Sequence, residues 1–253
     1  MIDVAPRFRH ALRAALFGIA AAAVFAAGPA VAESKAPVVV ELYTSQGCSS
    51  CPPADAFMGE LVEEDDIIGL TFHVDYWDYI GWKDTFASPE TTQRQRAYGQ
   101  VLGQRYPYTP QMVVGGKLHE VGSNRAGVRK AINYVAMEPP VVDVSTKRDG
   151  DNMTVHLPET ELDGKAWVWL VRFDKRHDVE IRRGENGGRK LSYFNVVRSI
   201  ERVAVWDGES TDLPLDVAEM QADGRDGCAI IVQSMGYGPV LGAVRIDFAD
   251  GAS

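Results

Sequence analysis

Two cysteines separated by two residues, placed between a strand pattern and a helix pattern, limit the fold of this chain more than any other feature. Residues 37–43 are apolar and rich in β-branched side chains, which predicts a buried strand. A short loop leads to Cys48-Ser49-Ser50-Cys51, and apolar residues at three- and four-residue spacing then predict a helix over 52–63. The cysteine pair is therefore expected at the start of that helix.

The start of a helix changes the chemistry of a cysteine. Unpaired backbone N–H groups and the positive end of the helix dipole stabilise a thiolate, so both are expected to lower the pKa of Cys48. Cys51 lies one turn further along, close enough to close a disulfide or to release a mixed one. Zinc sites use the same cysteine spacing, so the pair by itself leaves a metal site open.

Strand and helix patterns alternate over the first part of the chain. In order, they predict strand 37–43, helix 52–63, strand 67–74, helix 88–102, strands 108–114 and 117–121, and helix 123–136. Alternation followed by a hairpin indicates an α/β domain with a mixed central sheet covered by helices. Glu138-Pro139-Pro140 breaks this pattern, so the domain is expected to span 33–138.

Beyond residue 139 the apolar period changes to two. The predicted strands here are 141–146, 153–157, 166–173, 178–182, 200–206, 228–234 and 243–248. Turn signals such as Asp149-Gly150 separate them. About seven short strands in this length predict an all-β, sandwich-like domain over 139–253.

The N-terminus carries the pattern of an export signal. Arg7, Arg9 and Arg13 precede an apolar run over 14–27, and the small residues of Ala30-Val31-Ala32 follow. The run is shorter than the roughly 20 residues that span a bilayer. We therefore expect residues 1–32 to be a signal peptide and the rest to be periplasmic or secreted, without a stable membrane anchor.

The charge and the cysteine count exclude some functions. The chain has a formal net charge of −9, and loss of residues 1–32 removes three Arg and one Asp, which makes it more acidic. An acidic chain without a Lys/Arg cluster is a poor candidate for binding nucleic acid or anionic membranes. In an oxidising compartment, the two-residue spacing favours a redox pair over a structural link. Cys228 is left unpaired and is expected to be a buried, inert thiol.

Longer motifs extend across nearly all of the chain after residue 32. They are ELYTSQGCSSCPPAD, FHVDYWDYIGWKD, RQRAY, YTPQMVV and GENGGRKLSYFNVVR. Together they resemble the exported family known as DUF1223, a domain of unknown function, within the thioredoxin-fold superfamily. The resemblance implies a thioredoxin-like domain followed by a β-rich domain, and it names no substrate.

The thioredoxin-like resemblance also implies roles for individual residues. Cys48 would be the exposed nucleophile and Cys51 the shielded resolving thiol. Pro110 would follow a cis peptide bond and face the pair, and Thr109 would offer its backbone to an extended substrate. Glu41 lies near the position of a buried acid that takes the resolving proton, with a solvated carboxylate at a strand edge as the alternative. No cofactor is called for.

Residues that follow the second strand are candidates for contact with a ligand. The ends of strands line the ligand crevice in open α/β sheets, so Trp77, Asp78 and Trp82 are candidate substrate-binding residues beside Cys48. Packing between the two domains is the alternative, and it is favoured for both Trp residues. His73 could join the two cysteines in a soft-metal site, or it could be a hydrogen-bonded core residue.

Three functions follow from these features. The first is a thiol–disulfide oxidoreductase that acts on a protein or on a small thiol or disulfide. The second is a copper(I)-handling or binding protein that uses Cys48, Cys51 and His73. The third is a non-catalytic interaction module with a structural disulfide. Residues 184–189 are glycine-rich but lack the Lys-Ser/Thr ending of a phosphate loop, so a long hairpin that packs against the first domain is expected there.

Overall fold

The computed structural model describes residues 1–3, 36–221 and 224–248. The predicted signal peptide, apart from its first three residues, lies outside the described residues. From residue 36 onward, the described residues belong to one compact unit. Within the described ranges, every helix is too short or too polar to cross a bilayer.

The first half of this unit alternates strands and helices in the predicted order. Its elements are β1 (Val38–Thr44), α1 (Pro52–Leu61), β2 (Ile67–His73), α2 (Pro89–Val101), β3 (Gln111–Val114), β4 (Leu118–Val121) and α3 (Arg125–Val135). Ser88 caps α2 by accepting a hydrogen bond from the Thr91 backbone, and Pro89 takes the first helical position, where its missing N–H has no cost.

The second half is built mostly of strands. Its elements are β5 (Ser145–Asp149), β6 (Asn152–Leu157), β7 (Ala166–Glu180), β8 (Lys190–Trp206), β9 (Thr211–Asp216), α4 (Val217–Met220), β10 (Gly227–Ser234) and β11 (Val240–Asp247). Two strands are longer than predicted, since β7 has 15 residues and β8 has 17. The sequence analysis had divided β7 into two strands and had missed the first half of β8, as well as β9 and α4.

One eight-stranded sheet crosses the expected domain boundary at residue 138. Its strand order is β11-β10-β7-β8-β2-β1-β3-β4. The two halves meet where β8 runs parallel to β2, with Thr71 opposite Val196. Thr71 Oγ1 donates to the Phe194 carbonyl at 2.6 Å, and Asn195 Nδ2 donates to the Gly69 carbonyl at 2.9 Å. The extra length of β8 is what allows it to reach β2, so strands from both sides of the expected boundary share one sheet.

A second sheet of three strands, in the order β5-β6-β9, covers part of the large one. Val155 and Leu157 of this small sheet share a buried cluster with Val168 of β7 and Ile230 of β10. The architecture is therefore a mixed α/β fold with a large sheet, a small covering sheet and few helices. Face-to-face packing of two sheets was predicted, but it uses only three strands on one side.

Helix α1 packs against both halves of the large sheet. Ala54, Phe57 and Met58 share a cluster with residues of β1 and β3. On another side of the helix, Gly59 lies against the Phe194 ring, and a Cβ atom at this position would come within 2.5 Å of that ring. Glycine at 59 therefore lets the first helix approach the start of β8 closely.

A buried ion pair connects β1 to α2. Glu41 accepts from Arg94 Nε at 2.7 Å and from Nη2 at 2.9 Å, and both side chains are shielded from solvent. Tyr43 and Tyr98 also donate to Glu41, and Gln233 of β10 donates to the Tyr98 hydroxyl at 2.8 Å. Burial alone would lower the pKa of Arg94, but the Glu41 carboxylate raises it well above its usual range. The cluster thus joins three elements through one buried ion pair.

Replacement of Arg94 by Met would leave Glu41 buried without its counter-ion. We expect Arg94→Met to lower the free energy of unfolding by about 3–5 kcal/mol. Equilibrium unfolding in urea measures this change. Arg125→Met is the matched control, because the pair between Arg125 and Glu60 lies at the surface and should matter little. An equal loss of stability in both variants would contradict the argument.

Candidate functional site

The cysteine pair lies in the loop between β1 and α1, and its two sulfurs are joined in a disulfide. The Cys51 N–H donates to the Cys48 carbonyl at 3.2 Å, and the Ala54 N–H donates to the Cys51 carbonyl at 2.8 Å. Cys51 is the N-cap of α1, and Pro52 and Pro53 form the start of the helix. The predicted position of the pair at a helix N-terminus is confirmed.

The exposure predicted for Cys48 is wrong. Cys48 is 1% exposed and Cys51 is fully buried, whereas Ser49 and Ser50 between them face solvent. One side of the loop is covered by the 75–86 segment, because a Cβ atom at Gly47 would lie 3.3–3.4 Å from side-chain atoms of Ile80 and Trp77. Residues from the second half of the chain cover another side of the loop.

The turn at 184–188, between β7 and β8, covers the disulfide loop. The fully buried Asn186 donates through Nδ2 to the Gln46 carbonyl at 3.0 Å and to the Cys48 carbonyl at 2.9 Å. Arg189 Nη1 donates to Asn186 Oδ1 at 2.9 Å, and the Ser49 N–H donates to Glu185 Oε2 at 3.3 Å. The predicted hairpin is confirmed, since β7 and β8 pair in antiparallel fashion. The hydrogen bond from this hairpin to the Cys48 carbonyl was not predicted.

The segment that enters β3 borders the same loop. The peptide bond between Thr109 and Pro110 is cis, as predicted. Ser50 Oγ donates to the Thr109 carbonyl at 3.4 Å, and Trp77 Nε1 donates to Thr109 Oγ1 at 2.8 Å. Thr109 therefore lies next to the cysteine loop, and its backbone carbonyl contacts Ser50.

The three candidate substrate-binding residues all lie around the loop. Trp77 donates to Thr109, and Trp82 Nε1 donates to Gln46 Oε1 at 2.8 Å. Asp78 Oδ1 accepts from the Asp84 N–H at 3.0 Å. Their polar atoms are therefore used to hold the loop and its neighbours, and contact with a substrate stays a prediction.

His73 pairs with a carboxylate instead of the cysteines. Its Nδ1 lies 2.7 Å from Asp84 Oδ2, and both side chains are completely buried. Burial would raise the pKa of Asp84, but His73 and the N–H groups of Gln46 and Phe86 lower it below its usual value. The described residues contain no group of three His, Cys, Asp or Glu side chains arranged to hold a metal ion. The copper alternative stays a prediction. In this structure the two sulfurs are bonded to each other, and the His73 ring is hydrogen-bonded to Asp84.

Glu41 is buried, so the alternative of a solvated carboxylate at a strand edge is wrong. Its oxygens, however, already have hydrogen-bond partners. The guanidinium of Arg94 and the hydroxyls of Tyr43 and Tyr98 occupy its oxygens. Bidentate pairing with an arginine fixes the geometry of a carboxylate, and these partners hold both oxygens of Glu41. The structure therefore does not support the proton-transfer role considered for Glu41.

Asp55 is the acid that the sequence analysis missed. It lies one turn after Cys51, on the same side of α1, and is 3% exposed. Thr44 Oγ1 donates to Asp55 Oδ1 at 2.7 Å, while Oδ2 finds no hydrogen-bond partner in the described structure. Burial raises the pKa of Asp55 to about 7, against a smaller lowering by Thr44. The motif CSSCPPAD contained this residue, but only its burial distinguishes it from a surface helix acid.

Other titratable groups lie close to Asp55. The ring centroids of His73 and Tyr193 are 4.8 Å apart. Within the described part of the chain, the His73 Nε2 atom and the Tyr193 hydroxyl are buried without a hydrogen-bond partner. Burial raises the pKa of Tyr193, and the Asp55 carboxylate raises it further. The loop is thus backed by buried polar side chains, and Asp55, His73 and Tyr193 each have a polar atom without a partner in the described structure.

The thiol of Cys228 lies in an apolar environment. It is 3.8 Å from the Met220 sulfur in a buried apolar cluster. Burial raises the pKa of Cys228 to about 12, so it stays protonated near neutral pH. This agrees with the expected inert thiol.

A cavity of about 540 Å³ opens beside the disulfide loop. Pro52, Asp55 and Gly59 of α1 line one wall, and Arg189 and the beginning of β8 line the other. Space of this size is typical of small-molecule sites. Asp55 therefore links the buried side of the loop to a space that opens to solvent.

Comparison with known proteins identifies the family. Residues 39–233 match the family described as a protein of unknown function, DUF1223. A crystal structure of a protein from Agrobacterium tumefaciens, a structural genomics target, is similar in fold, with a TM-score of 0.75 and 33% sequence identity. The match covers 85% of this chain and 96% of that one. None of the curated proteins compared matches the chain. The chain belongs to the DUF1223 family.

Proposed function

We propose that this protein is a thiol–disulfide oxidoreductase that is exported to the periplasm or secreted. Its redox pair is Cys48 and Cys51, with Cys48 as the nucleophile and Cys51 as the resolving thiol. The proposal rests on the disulfide between Cys48 and Cys51, whose cysteines are separated by two residues and lie at a helix N-terminus. The buried carboxyl of Asp55, with a pKa raised to about 7, lies one helical turn away. Export rests on the charged, apolar and small-residue pattern of residues 1–32.

We also infer that the described part of the predicted first domain, residues 36–138, forms a thioredoxin-like unit. In its support, β1 is parallel to β2 and antiparallel to β3, and β4 continues the sheet in antiparallel fashion. Helices α1 and α3 share a cluster with one face of these strands. Tyr98 of α2 belongs to a different cluster that contains Tyr43 and Phe72. A mixed sheet with helices on both faces and the pair between the first strand and the first helix fits this assignment.

The reaction in the oxidising direction begins when a substrate thiolate attacks the Cys48 sulfur. The new bond forms as the Cys48–Cys51 bond breaks, and Cys51 leaves with the electron pair. The Asp55 carboxyl, protonated below a pH of about 7, supplies the proton that Cys51 needs. A second substrate thiolate attacks the substrate sulfur of the mixed disulfide, which releases the oxidised substrate and the Cys48 thiolate. The substrate loses two electrons, the protein gains them, and reduction of a substrate is the reverse sequence.

Access to Cys48 requires the turn at 184–188 to move. Asn186 is the main connection between this turn and the loop, and it contributes two hydrogen bonds. Gly184 and Gly188 have φ values of 75° and 82°, which other residues seldom adopt. The glycines thus allow the shape of the turn.

Removal of the Asn186 side chain should expose the nucleophile. We expect Asn186→Ala to increase the rate at which iodoacetamide labels Cys48 in the reduced protein by about ten-fold, because two hydrogen bonds to the loop are lost. Mass spectrometry of timed samples measures the rate. Labelling of the buried Cys228 serves as the internal control and should not change. Equal acceleration at Cys228 would indicate general unfolding instead.

The role of Asp55 is tested by its pH dependence. We expect Asp55→Asn to slow reduction of the disulfide by a small thiol on the order of 10²-fold below pH 7, because a positioned acid is lost. The wild-type rate, corrected for ionisation of the attacking thiol, should fall above a pH of about 7, and the variant should lack this step. An unchanged profile would exclude Asp55 from proton transfer.

The stability of the oxidised protein provides an independent check on Asp55. Its pKa is raised in the folded protein, so the folded state binds more protons than the unfolded state between pH of about 4 and 7. Stability should therefore decrease as pH rises through this window, by up to about 4 kcal/mol. Asp55→Asn should lose this part of the slope. Urea unfolding at several pH values measures it.

A structural disulfide is the competing function, and the burial of both sulfurs favours it. The reduction potential separates the two. We expect a value above about −300 mV, whereas structural disulfides in exported proteins lie below it. Equilibration of the metal-free protein with dithiothreitol buffers gives the potential, and Cys228→Ser serves as the control for side reactions. A value below that limit would establish the structural role.

A further inference from the structure

The turn that covers Cys48 is basic, although the chain is acidic overall. Arg182, Arg183, Arg189 and Lys190 flank it, and all four side chains are exposed. Glu185 is the acid among residues 181–190, and it accepts a hydrogen bond from the Ser49 N–H. Five residues separate the two basic pairs in sequence, and the hairpin places Arg189 opposite Ile181, the neighbour of Arg182, through a backbone hydrogen bond of 2.9 Å. Positive charge at this rim would attract anions to the disulfide loop.

Two of these basic residues line the cavity beside the loop. Arg189 and Lys190 form part of its wall, and Pro52, Ala56 and Phe194 add apolar surface. Lys190 lies 3.9 Å from Asp178, and Asp178 also pairs with Arg176 at 3.1 Å, so the charge of Lys190 is only partly balanced. An apolar wall with two cations suits a small ligand that carries an anionic group.

The two acidic residues that line the cavity, Glu60 and Asp55, are compatible with an anionic ligand. Glu60 is paired with Arg125, which donates at 2.8 Å through Nη1. Asp55 is buried, and its Oδ2 atom has no partner in the described structure although the residue lines the cavity. A neutral carboxyl here can donate a hydrogen bond to a ligand carboxylate or accept one from an amide. Asp55 is therefore the polar group that a ligand in this space would satisfy.

Building on the proposed function, we propose that this cavity binds a small thiol or disulfide that carries a carboxylate. The carboxylate takes the place of Asn186 Oδ1 at the Arg189 guanidinium, with Lys190 as the second cation. Arginine prefers a charged carboxylate to a neutral amide oxygen, because the charge-assisted hydrogen bond is stronger. Substrate binding would thereby release Asn186 and loosen the cover over Cys48.

Binding is tested on the oxidised wild-type protein, in which Cys48 and Cys51 have no free thiol to react. The probe is 2,2′-dithiodiacetate, and bis(2-hydroxyethyl) disulfide is its neutral counterpart. Calorimetry should show saturable binding of the dicarboxylate. The neutral disulfide should bind at least about ten-fold more weakly, and the affinity for the dicarboxylate should fall at high salt. Absence of saturable binding, or equal binding of the two probes, would overturn the proposal.

Two variants locate the site. Arg189→Gln and Lys190→Gln should each weaken binding of dithiodiacetate by about ten-fold or more. Arg148→Gln, at an exposed arginine of β5, is the matched control and should bind like the wild type. Equal effects of Arg148→Gln and Arg189→Gln would show a diffuse charge effect and exclude the cavity. Binding of acidic peptides without binding of the dicarboxylate would also exclude a small-molecule site.

The release of Asn186 has its own readout. Thiodiacetate, a dicarboxylate without a disulfide, should accelerate iodoacetamide labelling of Cys48 in the reduced protein. Asn186→Ala should already be fast and should not respond. No acceleration, or protection of Cys48, would overturn the coupling. Failure of the oxidoreductase proposal is recognised separately, because the reduced protein would then reduce neither the anionic nor the neutral disulfide, whereas binding is measured on the oxidised form.

Discussion

The parallel contact between β8 and β2 is the constraint on which the site depends. It joins strands from the two halves of the chain into one sheet, and it brings the start of β8 beside α1. Gly59 makes that approach possible, since any side chain there would collide with Phe194. As a result, the turn before β8 reaches the disulfide loop, and Asn186 can bond to the Cys48 backbone. The second half of the chain is therefore part of the site.

Burial changes the chemistry on both sides of the disulfide. Behind it, desolvation raises the pKa of Asp55 close to neutrality, which makes an ordinary carboxyl able to give and take protons at physiological pH. In front of it, the turn covers Cys48, which is 1% exposed. Glu41 shows the opposite outcome of burial, because Arg94 balances its charge fully and leaves it with a structural role.

Some errors of the sequence analysis have one physical origin. Apolar periodicity reports which side of a strand is buried, but it does not report which strand lies next to it. The pattern therefore located β1, α1, β2, α2 and α3 well, yet it missed the length of β8 and its pairing with β2. For the same reason, it expected Cys48 to be exposed, because the residues that cover Cys48 lie about 140 positions later in the chain.

The sequence by itself determined the local frame: a strand, a cysteine pair at the start of a helix, and a proline before β3, since each depends on residues close together in the chain. It also determined the family, because long motifs carry that information. Only the tertiary structure decided the partners of the two buried carboxyls, since Arg94 pairs with Glu41 whereas Asp55 Oδ2 has no partner among the described residues. The tertiary structure likewise decided that a basic turn covers the pair, because contacts between distant residues depend on how the whole sheet is assembled.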